Sequence, residues 1–120
     1  MPRRGDDFAN QGYVPRCGDI VHLNWSPSLG HEERGPHYGL VVSSTEYNQA
    51  TGLVVACPIT SKAGKLSGFE FPVHAGRVRG VAILSEMRAL DYQARSIQHE
   101  GAVAPEVVAE ANRRIRMVFP

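Results

Sequence analysis

A segment rich in Gly and Pro, GHEERGPHYG over residues 30–39, holds the side chains best suited to chemistry. It brings together the carboxylates of Glu32 and Glu33, the permanent cation of Arg34 and the titratable imidazole of His37. Acids, a cation and a base in one loop suit proton transfer beside an anionic phosphate. The alternative interpretation is a charged surface loop.

The second candidate segment is CPITSK, residues 57–62. A predicted strand ends at Ile59, and Thr60, Ser61 and Lys62 follow it directly. Two hydroxyls and an ammonium at the rim of a sheet can donate to a phosphate oxygen. A polar turn after a core strand is the alternative interpretation.

Other kinds of site find no support in the pattern. The five histidines show neither HxxxH nor HExxH spacing, and no pair of cysteines stands near a histidine, so no metal site is predicted. Walker, GxGxxG and GxSxG motifs are absent from the sequence, so no nucleotide cofactor is predicted. Cys17 and Cys57 match no disulfide framework and are interpreted as reduced thiols in a cytoplasm.

Short strands and one helix must position these segments. Residues 20–25 alternate as a strand, residues 26–39 are predicted as a long loop, and residues 40–44 and 53–58 as a hairpin with a loose turn. Further strands are predicted around residues 69–74, where Pro72 indicates an edge strand or a bulge, and over residues 81–84. Residues 87–90 either continue the latter strand or bend into the next. Helical spacing begins at Pro105. The pattern predicts a mainly β fold, a small bent antiparallel sheet or barrel capped by a C-terminal helix.

Length and composition fit one domain. The chain has 120 residues, a formal charge of +1, 42% hydrophobic and 21% charged residues. We expect a flexible segment over residues 1–12 and a single domain over residues 13–120. No run of about 18 apolar residues exists to cross a membrane, and the N-terminal residues do not form a signal peptide.

Four blocks of sequence carry a resemblance to a known family. They are GDIVHLNWSPSLGHEERG at 18–35, GLVVSS at 39–44, YNQATGLVVACPITSK at 47–62 and GVAILSEMRALDYQAR at 80–95. In this order they resemble the MazF/PemK family of toxin endoribonucleases, over residues 13–119. The resemblance implies an SH3-like barrel related to CcdB that forms a cytoplasmic homodimer. It also implies sequence-selective cleavage of single-stranded RNA without a metal or other cofactor, and inhibition by a cognate antitoxin whose disordered acidic tail occupies the RNA groove.

The family's loop pattern, G-x-E-Q-x-G-x-R-P, matches this chain unevenly. Gly30, Glu32 and Gly35 match, whereas Glu33 stands in place of Gln. His37 occupies the position of the catalytic Arg.

The family's catalytic Thr matches Thr60. We therefore hypothesise that Thr60 donates to the scissile phosphate and that His37 transfers protons. In this hypothesis Arg34 neutralises charge and Glu32 orients the loop.

Contacts to RNA are predicted at five further residues: Trp25, Ser61, Lys62, Glu86 and Arg88. Glu86 and Arg88 align with a family segment near the RNA groove, although a pair of exposed strand residues would look alike. Trp25 could stack on an RNA base, but its phase with Val21 and Leu23 favours the core. Basic residues that could rim the RNA groove are Lys62, Lys65, Arg77, Arg79, Arg88 and Arg95.

Two other functions remain open at this point. The loss of the family Arg could leave a catalytically weakened module that binds RNA or an antitoxin. A gyrase poison like CcdB is disfavoured, because that relative depends on a C-terminal Trp-Gly-Ile and this chain ends in Met117, Val118, Phe119 and Pro120.

Overall fold

The computed structural model describes residues 12–27, 30, 35–62 and 69–120. Of the predicted flexible segment 1–12, only Gly12 lies within the described residues. The strands are β1 (Asp19–Asn24), β2 (Pro36–Val41), β3 (Leu53–Thr60), β4 (Glu70–Ala75), β5 (Val78–Ile83), β6 (Arg88–Asp91) and β7 (Gln98–Ala102). The helices are α1 (Thr45–Thr51) and α2 (Pro105–Ile115), and 3₁₀ turns cover Leu84–Glu86 and Arg116–Val118.

The strands of the described chain form one strongly bent antiparallel sheet. Its order is β4-β5-β3-β2-β1-β7, and β6 pairs with β3 beside this path. The long strand β3 is the centre, because it pairs with β2, with β6 through residues 53–56 and with β5 through Ile59 and Thr60. The predicted mainly β fold with a closing helix is confirmed, and Pro72 lies on an edge strand as expected.

Apolar side chains on both faces of the sheet are buried. Ile20, Leu40 and Cys57 belong to a cluster that α2 covers with Ala111. Their neighbours Val21 and Val41 belong to a second cluster on the opposite face. Burial on both sides explains why successive residues of β1, from Asp19 to Val21, are all buried.

Both cysteines are free thiols. Cys57 lies in the core, and burial raises the pKa of its thiol to about 12. Cys17 is half-buried, and burial raises the pKa of its thiol as well.

Two elements, β2 and α1, differ from what the sequence predicted. Residues 36–39 belong to β2, so the predicted loop over residues 26–39 is too long. The segment between β2 and β3 is the helix α1 and not a loose turn. Ser44 caps this helix by accepting a hydrogen bond from the Tyr47 backbone at 3.1 Å, and Gly52 ends it in the left-handed conformation.

Asn48 fixes α1 to the sheet. Its side chain is fully buried, with Nδ2 donating to the Pro15 carbonyl at 2.8 Å and Oδ1 accepting from the Ser43 hydroxyl at 2.6 Å. The Tyr92 hydroxyl donates to the Asn48 carbonyl at 3.1 Å. Through its side chain and its backbone carbonyl, this buried residue connects three other parts of the chain, at Pro15, Ser43 and Tyr92.

We expect Asn48→Ala to lower the free energy of unfolding by about 1 to 3 kcal/mol, because it leaves buried polar groups without their partners. Urea unfolding followed by circular dichroism measures the change. The control is Gln49→Ala on the exposed side of the same helix. Equal stability of the two variants would contradict this role of Asn48.

No helix in the described part of the chain is long and apolar enough to cross a membrane.

Candidate active site

A cavity of about 340 Å³ opens where β2, β3 and β5 come together. It contains both of the described residues for which catalysis was predicted, His37 and Thr60. The described residues that line it are His22, Pro36, His37, Tyr38, Ile59, Thr60, Ser61, Arg77, Val78 and Arg79.

Strand pairing explains why His37 and Thr60 line the same cavity. In the β2–β3 pair, Gly39 lies opposite Pro58 and Val41 opposite Ala56. Pairing between the two strands stops at Gly39 and Pro58, and β3 pairs with β5 through Ile59 and Thr60. His37 and Thr60 each lie two residues beyond the last β2–β3 pair, at the same end of it, and both line the cavity.

The Thr60 hydroxyl is held at the end of β3. Its Oγ1 accepts a hydrogen bond from the Lys62 backbone at 3.1 Å. A hydroxyl that accepts in this way still has its own proton to donate. The geometry therefore suits Thr60 for donation to a substrate oxygen.

His37 is half-buried on β2, and its Nε2 atom is buried. Its backbone carbonyl accepts a hydrogen bond from the Trp25 indole at 3.2 Å. Beside it, the rings of His22 and Tyr38 meet edge to face with their centres 4.9 Å apart. The core tryptophan and this ring pair together fix the backbone that carries His37.

Two arginines of β4–β5 give the cavity positive charge. Arg77 forms an exposed ion pair with Glu100 at 3.3 Å, which contributes little to stability. Arg79 lies on β5 with its Nη2 atom 3.5 Å from Nε2 of His74. Cations, imidazoles and hydroxyls in one cavity are the groups that bind and polarise a phosphate.

Gly80 lets β5 approach β3 beside Thr60. A Cβ atom at this position would lie 2.6 Å from the Thr60 carbonyl oxygen and 3.0 Å from Cγ2 of Ile59. The backbone of residue 80 must therefore remain free of a side chain for the strands to pair as they do.

We expect Gly80→Ala to lower the free energy of unfolding by about 1 to 3 kcal/mol, because the new methyl group pushes β5 away from the Thr60 backbone. Chemical denaturation measures the loss. Ala89→Ser, at an exposed position of β6, is the control and should change stability by less than about 0.5 kcal/mol. A Gly80→Ala variant as stable as the parent would contradict the close approach.

The other residues predicted to act in the site lie in different places. Ser61 lines the cavity, and Lys62 is exposed beside it. Glu86 is half-buried in the 3₁₀ turn after β5 and does not line the cavity. Glu32 and Arg34 lie outside the described residues.

Trp25 and Arg88 have structural surroundings that differ from the predicted RNA contacts. Trp25 is fully buried in the core, so its ring face is not presented to an RNA base, in agreement with its phase with Val21 and Leu23. The Arg88 guanidinium donates to the carbonyls of Trp25 at 2.9 Å and Pro27 at 3.1 Å. The guanidinium that was predicted to read RNA therefore holds the end of β1.

His22 and Tyr38 also line the cavity, although neither was predicted from the sequence to belong to the site. His22 occupies the outward phase of β1, which was visible in the sequence. Its pairing opposite Tyr38, and the place of both in the cavity, depend on the β1–β2 register.

The described residues contain no cluster of metal ligands. Among residues 12–27, 30, 35–62 and 69–120, no three His, Cys, Asp or Glu side chains form a group that could hold a metal ion.

Comparison with known proteins assigns the chain to a family. Residues 16–119 match the model of the PemK-like, MazF-like toxins of type II toxin-antitoxin systems. The chain belongs to this family. This chain is 37% identical to the endoribonuclease toxin ChpB of Escherichia coli over 106 residues, which is 84% of this chain and 90% of ChpB.

Solved structures of MazF agree in fold. The crystal structure of MazF from Deinococcus radiodurans superposes with a TM-score of 0.78 at 38% identity, over 88% of this chain and 96% of that one. A MazE–MazF crystal structure from the same organism gives a TM-score of 0.72 at 34% identity, over 88% of this chain and 95% of that one. The bent sheet with its closing helix is thus the fold of the MazF-like toxins, as the resemblance implied.

Proposed function

We propose that this chain is an endoribonuclease toxin that cleaves single-stranded RNA at selected sequences without a metal and is neutralised by a cognate antitoxin. The observation that carries the proposal is the cavity in which His37, Thr60 and Arg79 lie together. Membership in the PemK-like, MazF-like family and the similarity to the endoribonuclease toxin ChpB support it.

The proposed reaction is an internal transfer of the phosphoryl group. The ribose 2′-oxygen attacks the phosphorus, a P–O bond to the 2′-oxygen forms, and the bond to the 5′-oxygen breaks. The proton of the 2′-hydroxyl must leave, and the departing 5′-oxygen must gain one. The products are a 2′,3′-cyclic phosphate and a 5′-hydroxyl.

The residues of the cavity divide this work. His37 transfers protons, because an imidazole is both an acid and a base, whereas an arginine stays charged. The Thr60 hydroxyl donates to a nonbridging oxygen as negative charge develops on it. Arg34 supplies further positive charge and Glu32 orients the loop that carries it.

Arg77 and Arg79 extend the positive charge to the neighbouring phosphates of the strand. Both line the cavity, and both are exposed on β5 or at its start. Ser61 and Lys62 lie beside Thr60 and continue the row of donors. Cations in such a row bind the phosphate backbone irrespective of sequence.

The proposed partners are an antitoxin and a second copy of the chain. A complex of MazE with MazF is known for the Deinococcus protein, which supports a cognate antitoxin here. The side chains of Met117 and Phe119 are 66% and 59% exposed, which suits a surface that a second protomer covers in a homodimer. Free cysteines are consistent with the cytoplasm as its location.

Incubation of the purified protein with a long unstructured RNA tests the proposal. We expect cuts at defined sequences, unchanged by EDTA, with 5′-hydroxyl ends that a polynucleotide kinase labels without prior phosphatase treatment. Mass spectrometry of the 3′ ends should find the cyclic phosphate.

Three outcomes would each contradict part of the proposal. Intact RNA that remains bound to the protein would favour the catalytically weakened binding module, with His37 an inadequate replacement for the family Arg. Cuts that vanish with EDTA would contradict the metal-independent mechanism. Stalling of gyrase on DNA, measured in parallel, would favour the poison like CcdB.

A further inference from the structure

Two arginines from the β6–β7 region converge on the end of β1. Arg88, at the start of β6, donates to the carbonyls of Trp25 and Pro27 at 2.9 and 3.1 Å. Arg95 donates through Nη1 to the carbonyls of Asn24 at 2.9 Å and Ser26 at 2.6 Å. Four successive carbonyls, from residue 24 to residue 27, thus accept from two guanidinium groups.

These carbonyls lie where regular pairing stops. β1 ends at Asn24 and β2 begins at Pro36, so residues 25–27 lie outside the regular strands. A backbone that leaves a sheet needs other partners for its polar groups. A guanidinium offers several donors in a rigid plane, so one side chain can fix two peptide units at once.

Two of these four residues, Trp25 and Ser26, are bonded to β2 or to Gly35 directly before it. The Trp25 backbone donates to the Gly35 carbonyl at 2.8 Å, and the Gly35 backbone donates to the Ser26 hydroxyl at 2.8 Å. The Trp25 indole donates to the carbonyl of His37 at 3.2 Å. A continuous set of contacts therefore runs from Arg88 and Arg95 through Trp25 to His37.

We propose that Arg88 and Arg95 are positioning residues, which hold residues 24–27 and, through Trp25, set the place of His37 relative to Thr60. Neither guanidinium lines the cavity of His37 and Thr60. Both side chains are only partly exposed, as expected for groups engaged with the backbone. The inference rests on the proposed function for its effect on catalysis, but the fixing of Trp25 does not depend on that function.

Trp25 is the single tryptophan of the chain. Its fluorescence therefore reports on the contacts made by Arg88 and Arg95 without any need for RNA. We expect Arg88→Ala and Arg95→Ala to move its fluorescence emission to longer wavelength and to increase its quenching by acrylamide. Arg116→Ala, an exposed arginine of the C-terminal 3₁₀ turn, is the matched control and should change neither. Far-UV circular dichroism of each variant shows whether the sheet is still folded.

Kinetics separate positioning from RNA contact. A positioning role predicts a fall in kcat of about 10- to 100-fold for Arg88→Ala or Arg95→Ala, with KM little changed, because a small misplacement of a reacting group is costly. Arg88→Lys should recover part of the loss, since it keeps the charge but loses the fork. A direct RNA contact predicts instead a higher KM and a salt slope of RNA affinity lowered by about one, as we expect for Arg79→Ala.

The outcomes are distinct. Unchanged Trp25 fluorescence in folded Arg88→Ala and Arg95→Ala variants would overturn the proposal, whether or not the protein cleaves RNA. Altered fluorescence with unchanged kcat would overturn the role in positioning His37. A parent protein that cleaves no RNA would refute the proposed function alone, and the fluorescence would still decide whether the arginines fix Trp25.

Discussion

Thr60→Val is expected to lower kcat for RNA cleavage by about 100- to 1,000-fold, the usual cost of removing one donor to developing oxyanion charge. Valine has nearly the shape of threonine, so the end of β3 keeps its packing while the hydroxyl is lost. The Lys62 backbone also loses its acceptor, but Lys62 is exposed and water can replace it. Single-turnover cleavage of a short RNA containing the preferred sequence measures the effect.

Matched variants identify the hydroxyl as the cause. Thr60→Ser keeps a hydroxyl and should stay within about tenfold of the parent, which is a loss of less than about 1.4 kcal/mol in transition-state stabilisation. His37→Ala should lose activity by a factor of about 100 or more, the usual contribution of an acid or base. His99→Ala, in a different cavity beside Asp19, should not. Full activity in both Thr60→Val and His37→Ala would refute the assigned site.

Trp25→Ala is expected to lower the free energy of unfolding by about 3 to 5 kcal/mol, the range for removing a large aromatic side chain from a core. Trp25 is fully buried among residues of the second core cluster, including Leu23, Val54 and Leu90. A Cβ on Gly39 would lie 2.8 Å from its Cζ2 atom, which shows how closely the ring is packed. Urea unfolding followed by circular dichroism measures the loss.

Two comparisons make the Trp25 result specific. Trp25→Phe fills much of the same space, so its loss in free energy of unfolding should be less than half of the loss for Trp25→Ala. Tyr47→Ala removes an aromatic ring that is 38% exposed on α1 and should cost much less. A loss below about 1 kcal/mol for Trp25→Ala would contradict its place in the core.

Local patterns in the sequence were enough to predict the frame of the fold. The spacing of Val107, Ala111 and Ile115 predicted α2, and these residues do pack against the sheet. The phase of Trp25 favoured the core, where it lies. Periodicity works here because each element has an apolar face that must be buried.

Apolar periodicity did not predict α1 or β7, because caps define the first and strand pairing defines the second. α1 has little apolar periodicity, and its signals are the cap at Ser44 and the left-handed Gly52. β7 reads QHEGA, a polar segment that becomes a strand because it pairs with β1. Only the tertiary structure supplies that partner.

Part of the candidate site could be predicted from the sequence. Thr60 and His37 were found from residue type and from family resemblance, and both line one cavity at the ends of the neighbouring strands β2 and β3. The contact that Arg88 makes could not be predicted from the sequence, because its partner carbonyl at Trp25 lies 63 residues away along the chain. Contacts of this kind arise from folding and leave no periodic trace.

The central place of β3 has a consequence for fluctuations of the native state. Because β3 pairs with β2 on one side and with β5 and β6 on the other, its amide protons are expected to exchange with solvent only when the centre of the sheet opens. Edge elements such as β4 open at a lower free-energy cost. Thr60 is therefore attached to a slowly exchanging unit of the sheet, and its hydroxyl keeps its place while the rim of the molecule opens and closes.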